Sequence, residues 1–179
     1  MLQAKDVLDY WFSESCRQCW FNSTEEFDQE IKQRFESVWI AARDGKLDEW
    51  MNTEEGSLAL VILLDQFPLN MFRGKPESFS TEARARKVSV HAIEMGFDRQ
   101  MDESQRLFIY LPFMHSEDLE DQDTSVELFQ QACMETRWAE HHRDIVRRFG
   151  RFPHRNVILG RDSSVAELAY LTSDEAFKG

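Results

Sequence analysis

The stretch 142–161, HRDIVRRFGRFPHRNVILGR, gathers six arginines and two histidines around a single acid, Asp144, in a chain whose formal net charge is −12. Arginine stands at every basic position. A planar guanidinium pairs in two-pronged fashion with a carboxylate or phosphate, which lysine cannot do, so the stretch is suited to defined anions rather than to a diffuse positive field. Arg148, Arg151, His154 and Arg155 bunch on either side of Gly150, and Pro153 at the first position of a short turn leaves nearby amides free to face an anion. The pattern predicts a binding site for an acidic peptide or a small anion.

The competing source of anions is the chain itself. Residues 107–136 hold seven acids and no lysine or arginine, whereas 137–161 hold seven arginines and two acids. Adjacent antiparallel helices of opposite sign neutralise each other without a ligand. Asp144 with Arg148 and Glu140 with Arg143 add intrahelical pairs worth roughly 0.3 kcal/mol each. On this alternative His154 caps the turn and Arg155 meets Asp65.

Three further residues are candidates for catalysis. Asp65, in LLDQFPLN, follows Val61 and Ile62 by one helical turn and is expected to be shielded from water. A shielded carboxylate is either paired or protonated, so Asp65 is a structural partner for the arginines or a general base. His115 in MHSED or His142 in HRD serves as base in an enzymatic reading, a hydrolase or lyase whose arginines stabilise an anionic substrate. His142 shares a helical face with Trp138, Ile145 and Phe149, which describes a hydrogen-bonded core histidine equally well. None of these has metal-site spacing. Cys16 and Cys19 in CRQC lack both a second cysteine pair for zinc and the strand that precedes a thioredoxin-type site. There is no glycine-rich phosphate loop and no G-x-S-x-G elbow. Neither a metal nor a cofactor is expected.

The elements that must position these groups read as helices. A short helix over Asp6 to Phe12 opens the chain. Ser23 and Glu26 have capping-box spacing, and Phe27, Ile31, Phe35, Val38 and Ala42 recur every three or four residues until Gly45 stops the run. A third helix spans about Thr53 to Phe67, apolar on all faces through LALVILL and ended by Pro68. Ser80 is placed to cap a fourth that closes at Gly96, and Asp102 to cap a fifth that ends before Pro112. A sixth starts near Ser116 with the seam Leu119, Gln122, Val126, Phe129 and Cys133. A seventh carries His142 and ends at Gly150, and Pro153 begins a turn through Leu159. Ser164 and Glu167 form a second capping box. No convincing alternation for a strand occurs, so the fold class is all-α, about eight to nine helices in antiparallel pairs.

At 179 residues the chain fits one domain, 1–179, with its core over about 6–171 and a frayed tail, 172–179. The excess of acids, 33 against 21 bases, argues against nucleic acid as a partner. Three cysteines are too few for a disulfide scaffold and suit a reducing compartment. The N-terminus has no signal-type apolar run. The longest apolar run, Leu58 to Leu64, is far short of the ~20 residues that cross a bilayer. A cytoplasmic protein with no membrane partner is expected.

Several segments resemble the bacterial domain of unknown function 924 family: LALVILLDQFPLNMFRG (58–74), FIYLPFMHSEDLEDQDTSVELF (108–129) and HRDIVRRFGRFPHRNVILGR (142–161). The opening LDYWF and the GKLDEW turn agree, and the resemblance covers about residues 6–171. It implies a tetratricopeptide-like helical superfamily fold, whose helix pairs commonly bind through a concave surface, and no established activity. It places the family's polar positions at Asp65, Gln66, Asn70, Arg73, His115, His142, Asp144, Arg148, Arg151, His154, Arg155 and Arg161, which adds Asn70 and Arg73 to the ligand-binding candidates. The chain departs from the family pattern at Glu55, where Arg is usual before Gly56, and at Leu69, where Arg is usual before Asn70. Both departures remove positive charge. A third reading needs no ligand: the polar motifs are scaffolding, and Asp65→Asn destabilises the fold.

Overall fold

The computed structural model describes residues 2–177 and is all-helical, with no strand among them. The helices are α1 (Ala4–Trp11), α2 (Glu14–Arg17), α3 (Glu25–Arg43), α4 (Glu54–Val61), α5 (Phe67–Met71), α6 (Glu82–Glu94), α7 (Glu103–Met114), α8 (Leu119–Gln131), α9 (Arg137–Phe149) and α10 (Val165–Leu171). A π-helical segment, Ile62–Gln66, joins α4 to α5 into one rod, and short 3-10 turns cover Asp48–Asn52, Pro76–Phe79 and Pro153–Arg155. The chain forms two compact units. The first comprises residues up to Arg73 with Glu77–Pro112, and the second comprises Gly74–Pro76 with the chain from Phe113 onward.

In the first unit the α4–α5 rod is the buried centre. Leu58 through Leu64 and Phe67 are each at most 1 % exposed, as an all-apolar helix requires. The aromatic rings of Tyr10, Trp11, Phe35 and Phe67 interlock around it, with Phe35 and Phe67 centroids 4.8 Å apart. The N-terminus of the rod is tied down by Thr53, whose hydroxyl accepts from the Gly56 amide. A Cβ on Gly56 would sit 2.1 Å from the Trp50 carbonyl oxygen, so this close approach admits only glycine.

Pro68 does not end this rod. Proline cannot donate to the carbonyl four residues back, that of Leu64, and its ring crowds that oxygen. The chain widens to a single π turn instead, the form in which π-helix mostly occurs inside helices. The Thr81 hydroxyl then donates to the Leu64 oxygen at 2.6 Å and satisfies the carbonyl that Pro68 cannot. Thr81, at the N-cap of α6, makes no side-chain cap bond there: its hydroxyl accepts from Trp39 Nε1 at 3.3 Å and its ψ of 2° is not the extended backbone of a capping residue, while the Ser80 hydroxyl donates to the Glu77 carbonyl. Thr24 rather than Ser23 caps α3 by accepting from the Phe27 amide, while the Ser23 hydroxyl accepts from Asn70 Nδ2 and donates to Asp28. Pro112 lies inside α7, which continues to Met114.

The second unit is smaller and less apolar. Ile145, Val146, Phe152 and Tyr170 form a buried cluster, with Phe149, Leu171, Ala176 and Phe177 packed against it. Helices α8 and α9 pack together, and Arg143 and Arg147 of α9 reach Asp123 of α8 at 3.6 and 3.8 Å, the expected pairing of opposite signs. Asp118 caps α8 through the Glu120 and Asp121 amides, so the helix begins after Ser116. Gln122, Val126 and Phe129 hold the expected seam; Leu119 is 40 % exposed, and Cys133 lies beyond the helix with a left-handed φ of 55°. Gly150 stops α9 in the left-handed conformation, and Ser164 with Glu167 forms the expected capping box of α10. Residues 172–177 turn back after α10: Phe177 donates its amide to the Tyr170 hydroxyl at 2.9 Å. Lys178 and Gly179, the end of the expected tail, lie outside the described residues.

Candidate functional site

The arginine stretch folds into the second unit, and most of its charge is met by acids from the same unit. Arg151 grips Glu167 with two nitrogens, at 2.6 and 2.9 Å, and gives a third bond to the Asp162 carbonyl at 2.8 Å. Glu167 also accepts from the Asn156 amide and the Ser164 backbone amide. The Arg151 guanidinium holds the Glu167 carboxyl far below the usual carboxylate range, the backbone and asparagine bonds assisting against its burial. Arg161 grips Glu117 at 2.6 and 2.9 Å, and Glu117 accepts the Phe152 amide at 2.7 Å. Burial opposes the charge on Glu117, but Arg161 and that amide outweigh it and lower its pKa. The anion that the Pro153 turn was expected to attract is therefore, at the Phe152 amide, the chain's own Glu117.

Arg148 differs from these. It lies across the Phe149 and Tyr170 rings at 5.0 and 5.5 Å, is 55 % exposed, and meets Glu175 only at 3.8 Å, with that carboxylate 78 % exposed. Asp144 is met by Arg147 at 3.2 Å instead of by Arg148. Arg155 is buried and stacked on the Phe152 ring at 4.8 Å.

Four of the five histidines, His115, His141, His142 and His154, belong to the same unit. His142, 5 % exposed, bonds the Trp138 carbonyl through Nδ1 at 2.8 Å. A carbonyl only accepts, so Nδ1 carries the proton and Nε2 is the bare nitrogen of the neutral ring. Burial, reinforced by neighbouring His115, His141 and His154, pushes His142 down to about 3. Burial and then Arg155 push His154 down to about 4. The His154 Nδ1 is shielded from solvent and has no hydrogen-bond partner among the described residues. Phe177 packs between these rings, 4.4 Å from His142 and 5.1 Å from His154, while Phe152 lies 5.6 and 5.7 Å from the same two. His115 is partly buried. Sequence reasoning missed Phe177 and the anchoring roles of Glu117 and Glu167; only the capping-box position of Glu167 was visible.

The remaining candidates belong to the first unit. Asn70 and Arg73 converge on Asp28, which accepts from Asn70 Nδ2 at 2.8 Å, Arg73 Nε at 2.6 Å and the Ser23 hydroxyl at 2.5 Å. Burial works against the Asp28 charge, yet Arg73, Ser23 and Asn70 together hold its pKa below the usual range. Asp65, 1 % exposed as expected, accepts from the Gln66 amide at 2.7 Å within the π turn. Among the described residues no group of three or more His, Cys, Asp or Glu side chains is placed to hold a metal ion. No helix among them is long and apolar enough to cross a membrane.

The model of a family described as bacterial protein of unknown function (DUF924) matches residues 7–175. The structure of a protein of unknown function, ATU0120 from Agrobacterium tumefaciens, is similar with a TM-score of 0.89 and 42 % identity, over 94 % of this chain and 96 % of that one. No curated protein matches.

Proposed function

The chain belongs to the DUF924 family of bacterial proteins, and we propose that it acts as a helical binding module for an anionic ligand, an acidic peptide or a small anion, on the Arg148–His154 face of its second unit. One observation carries this reading. Arg148 keeps most of its surface in water, and its carboxylate contact is long and itself exposed, whereas Arg151 and Arg161 are held two-pronged by Glu167 and Glu117. A guanidinium steadied on two aromatic rings and half exposed to water is suited to donate to a carboxylate or phosphate. Arg151 serves on this reading as support, fixing α10 against the turn at Pro153.

Binding is favoured over catalysis by the state of His142. Its neutral form presents a bare Nε2, but a base works best with a pKa near the working pH, and burial drives this one down to about 3. Isothermal calorimetry with inorganic phosphate and with a poly-glutamate peptide tests the proposal. Arg148→Ala should weaken binding at least ~5-fold, in keeping with the loss of a charge-assisted bond, while Arg73→Ala leaves it unchanged. Equal binding by wild type and Arg148→Ala would remove the site.

A further inference from the structure

The segment that turns back after α10 has the chemistry of the ligand just proposed. Residues 172–177 read Thr-Ser-Asp-Glu-Ala-Phe, two adjacent acids followed two residues later by an aromatic ring. Glu175 is the carboxylate that faces Arg148, at 3.8 Å. Two residues on, Phe177 places its ring edge-on to His142 and His154 and close to the buried Ile145–Phe152–Tyr170 cluster. Between them Ala176 packs on the same cluster, and the backbone is fixed by the Phe177 amide on the Tyr170 hydroxyl. The segment therefore makes a charge contact, an aromatic contact and one main-chain bond, the combination by which grooves recognise short peptides.

The strength of these contacts is uneven. The Glu175–Arg148 pair is exposed on both sides and worth little in water. The aromatic contact is the closer one, the Phe177 ring lying against the His142 and His154 rings, and the His154 Nδ1 is shielded and has no partner among the described residues. Beyond Ser173, which bonds the Tyr170 carbonyl, the segment is held by the Phe177 ring, Ala176, the Phe177 amide and one exposed ion pair, and so few contacts are given up at small cost. A partner that offers the same ring and a better-placed acid competes with it directly.

Resting on the anion-binding reading of this face, we infer that the second unit recognises peptides carrying a carboxylate two residues ahead of an aromatic side chain, and that Glu175–Phe177 occupies this site in cis until such a peptide displaces it. The tethered segment competes at an effective concentration in the millimolar range, so a free peptide binds the intact chain more weakly than a chain lacking the segment.

The experiment compares the intact chain with one ending at Thr172, both checked for helix content by circular dichroism, using a fluorescent peptide of sequence Thr-Ser-Asp-Glu-Ala-Phe with an amidated C-terminus. The truncated chain should bind it ~10-fold more tightly, and the peptide carrying E175Q and F177A should not bind. Equal affinity for the two chains, or undiminished binding of the doubly substituted peptide, overturns the inference. Arg148-dependent phosphate binding alongside equal peptide affinities would overturn the cis occupant and spare the anion site. Loss of every Arg148-dependent interaction would take both. Should truncation unfold the unit, histidine ring proton resonances of the intact chain decide: millimolar peptide should move the His142 and His154 signals as Phe177→Ala does, and signals that stay fixed refute displacement.

Discussion

Asp28 in the first unit and Glu167 in the second each accept a two-pronged arginine and an asparagine amide, yet their surroundings differ. Arg73, on Asp28, is 57 % exposed, and the carboxylate 14 %; Arg151, on Glu167, is 30 % exposed, and the carboxylate 3 %. Asp28 sits at the margin of a unit whose stability comes from an apolar rod and its ring of aromatics. Glu167 sits inside a unit with a small apolar cluster, where it joins α10, the Asn156 turn and the end of α9. Removing one partner of a shielded pair leaves an unsatisfied charge, whereas an exposed arginine simply rehydrates. The same set of residue types is a clasp in one unit and a keystone in the other.

Calorimetric unfolding can break this contrast, and the largest expected effect is at Glu167. Glu167→Ala strips the bonds from Arg151, Asn156 and Ser164 together and should lower Tm by about 10 °C. A drop of only two or three degrees would mean that the two carboxylates are equivalent after all.

Acidification should act next most strongly, and on the second unit. His142 and His154 have folded pKa values of about 3 and about 4, below the ~6.5 of an unfolded histidine. The native state therefore resists protons that the unfolded chain takes up, so stability falls as pH drops below ~6.5 and continues to fall toward the folded values. Between pH 7 and pH 5, Tm should decrease by about 6 °C, and His142→Phe should flatten that slope. A slope unchanged in His142→Phe would exclude this histidine as its source.

Asp28→Ala should cost about 3 °C, because Asn70 loses a shielded acceptor although Arg73 reaches water. Arg73→Ala should change Tm by no more than about 1 °C, the ordinary worth of an exposed pair. If Arg73→Ala proves as damaging as Glu167→Ala, exposure is the wrong measure of these networks.

What could be read directly from the residues was whatever a helix encodes locally. The α3 stripe from Phe27 to Ala42, the Gly45 and Gly150 stops, and the Ser164–Glu167 box all rest on neighbours within four positions. The misread points involve remote partners. Pro68 looks like a terminator until Thr81, 17 residues after Leu64, supplies the donor that the Leu64 carbonyl lacks. Ser23 looks like a cap until Asp28 and Asn70 claim its hydroxyl. The arginine stretch revealed its charge but not its acceptors, since Glu117 stands 44 residues before Arg161. Phe177 gave no signal, because a lone aromatic in a polar run has no period to betray the face it covers.

The π turn between α4 and α5 has a geometric consequence for the Asp28 clasp. One additional residue in a helix advances everything downstream by about 100° around the axis. Asn70, on α5, and Arg73, two residues beyond its end, both reach Asp28 from downstream of that extra step. Deleting a single residue there would turn the chain beyond it by about 100° relative to α3 and set the Pro68 ring against the carbonyl four residues back, so the phase of the rod, as well as the identity of its polar residues, determines which helix they address.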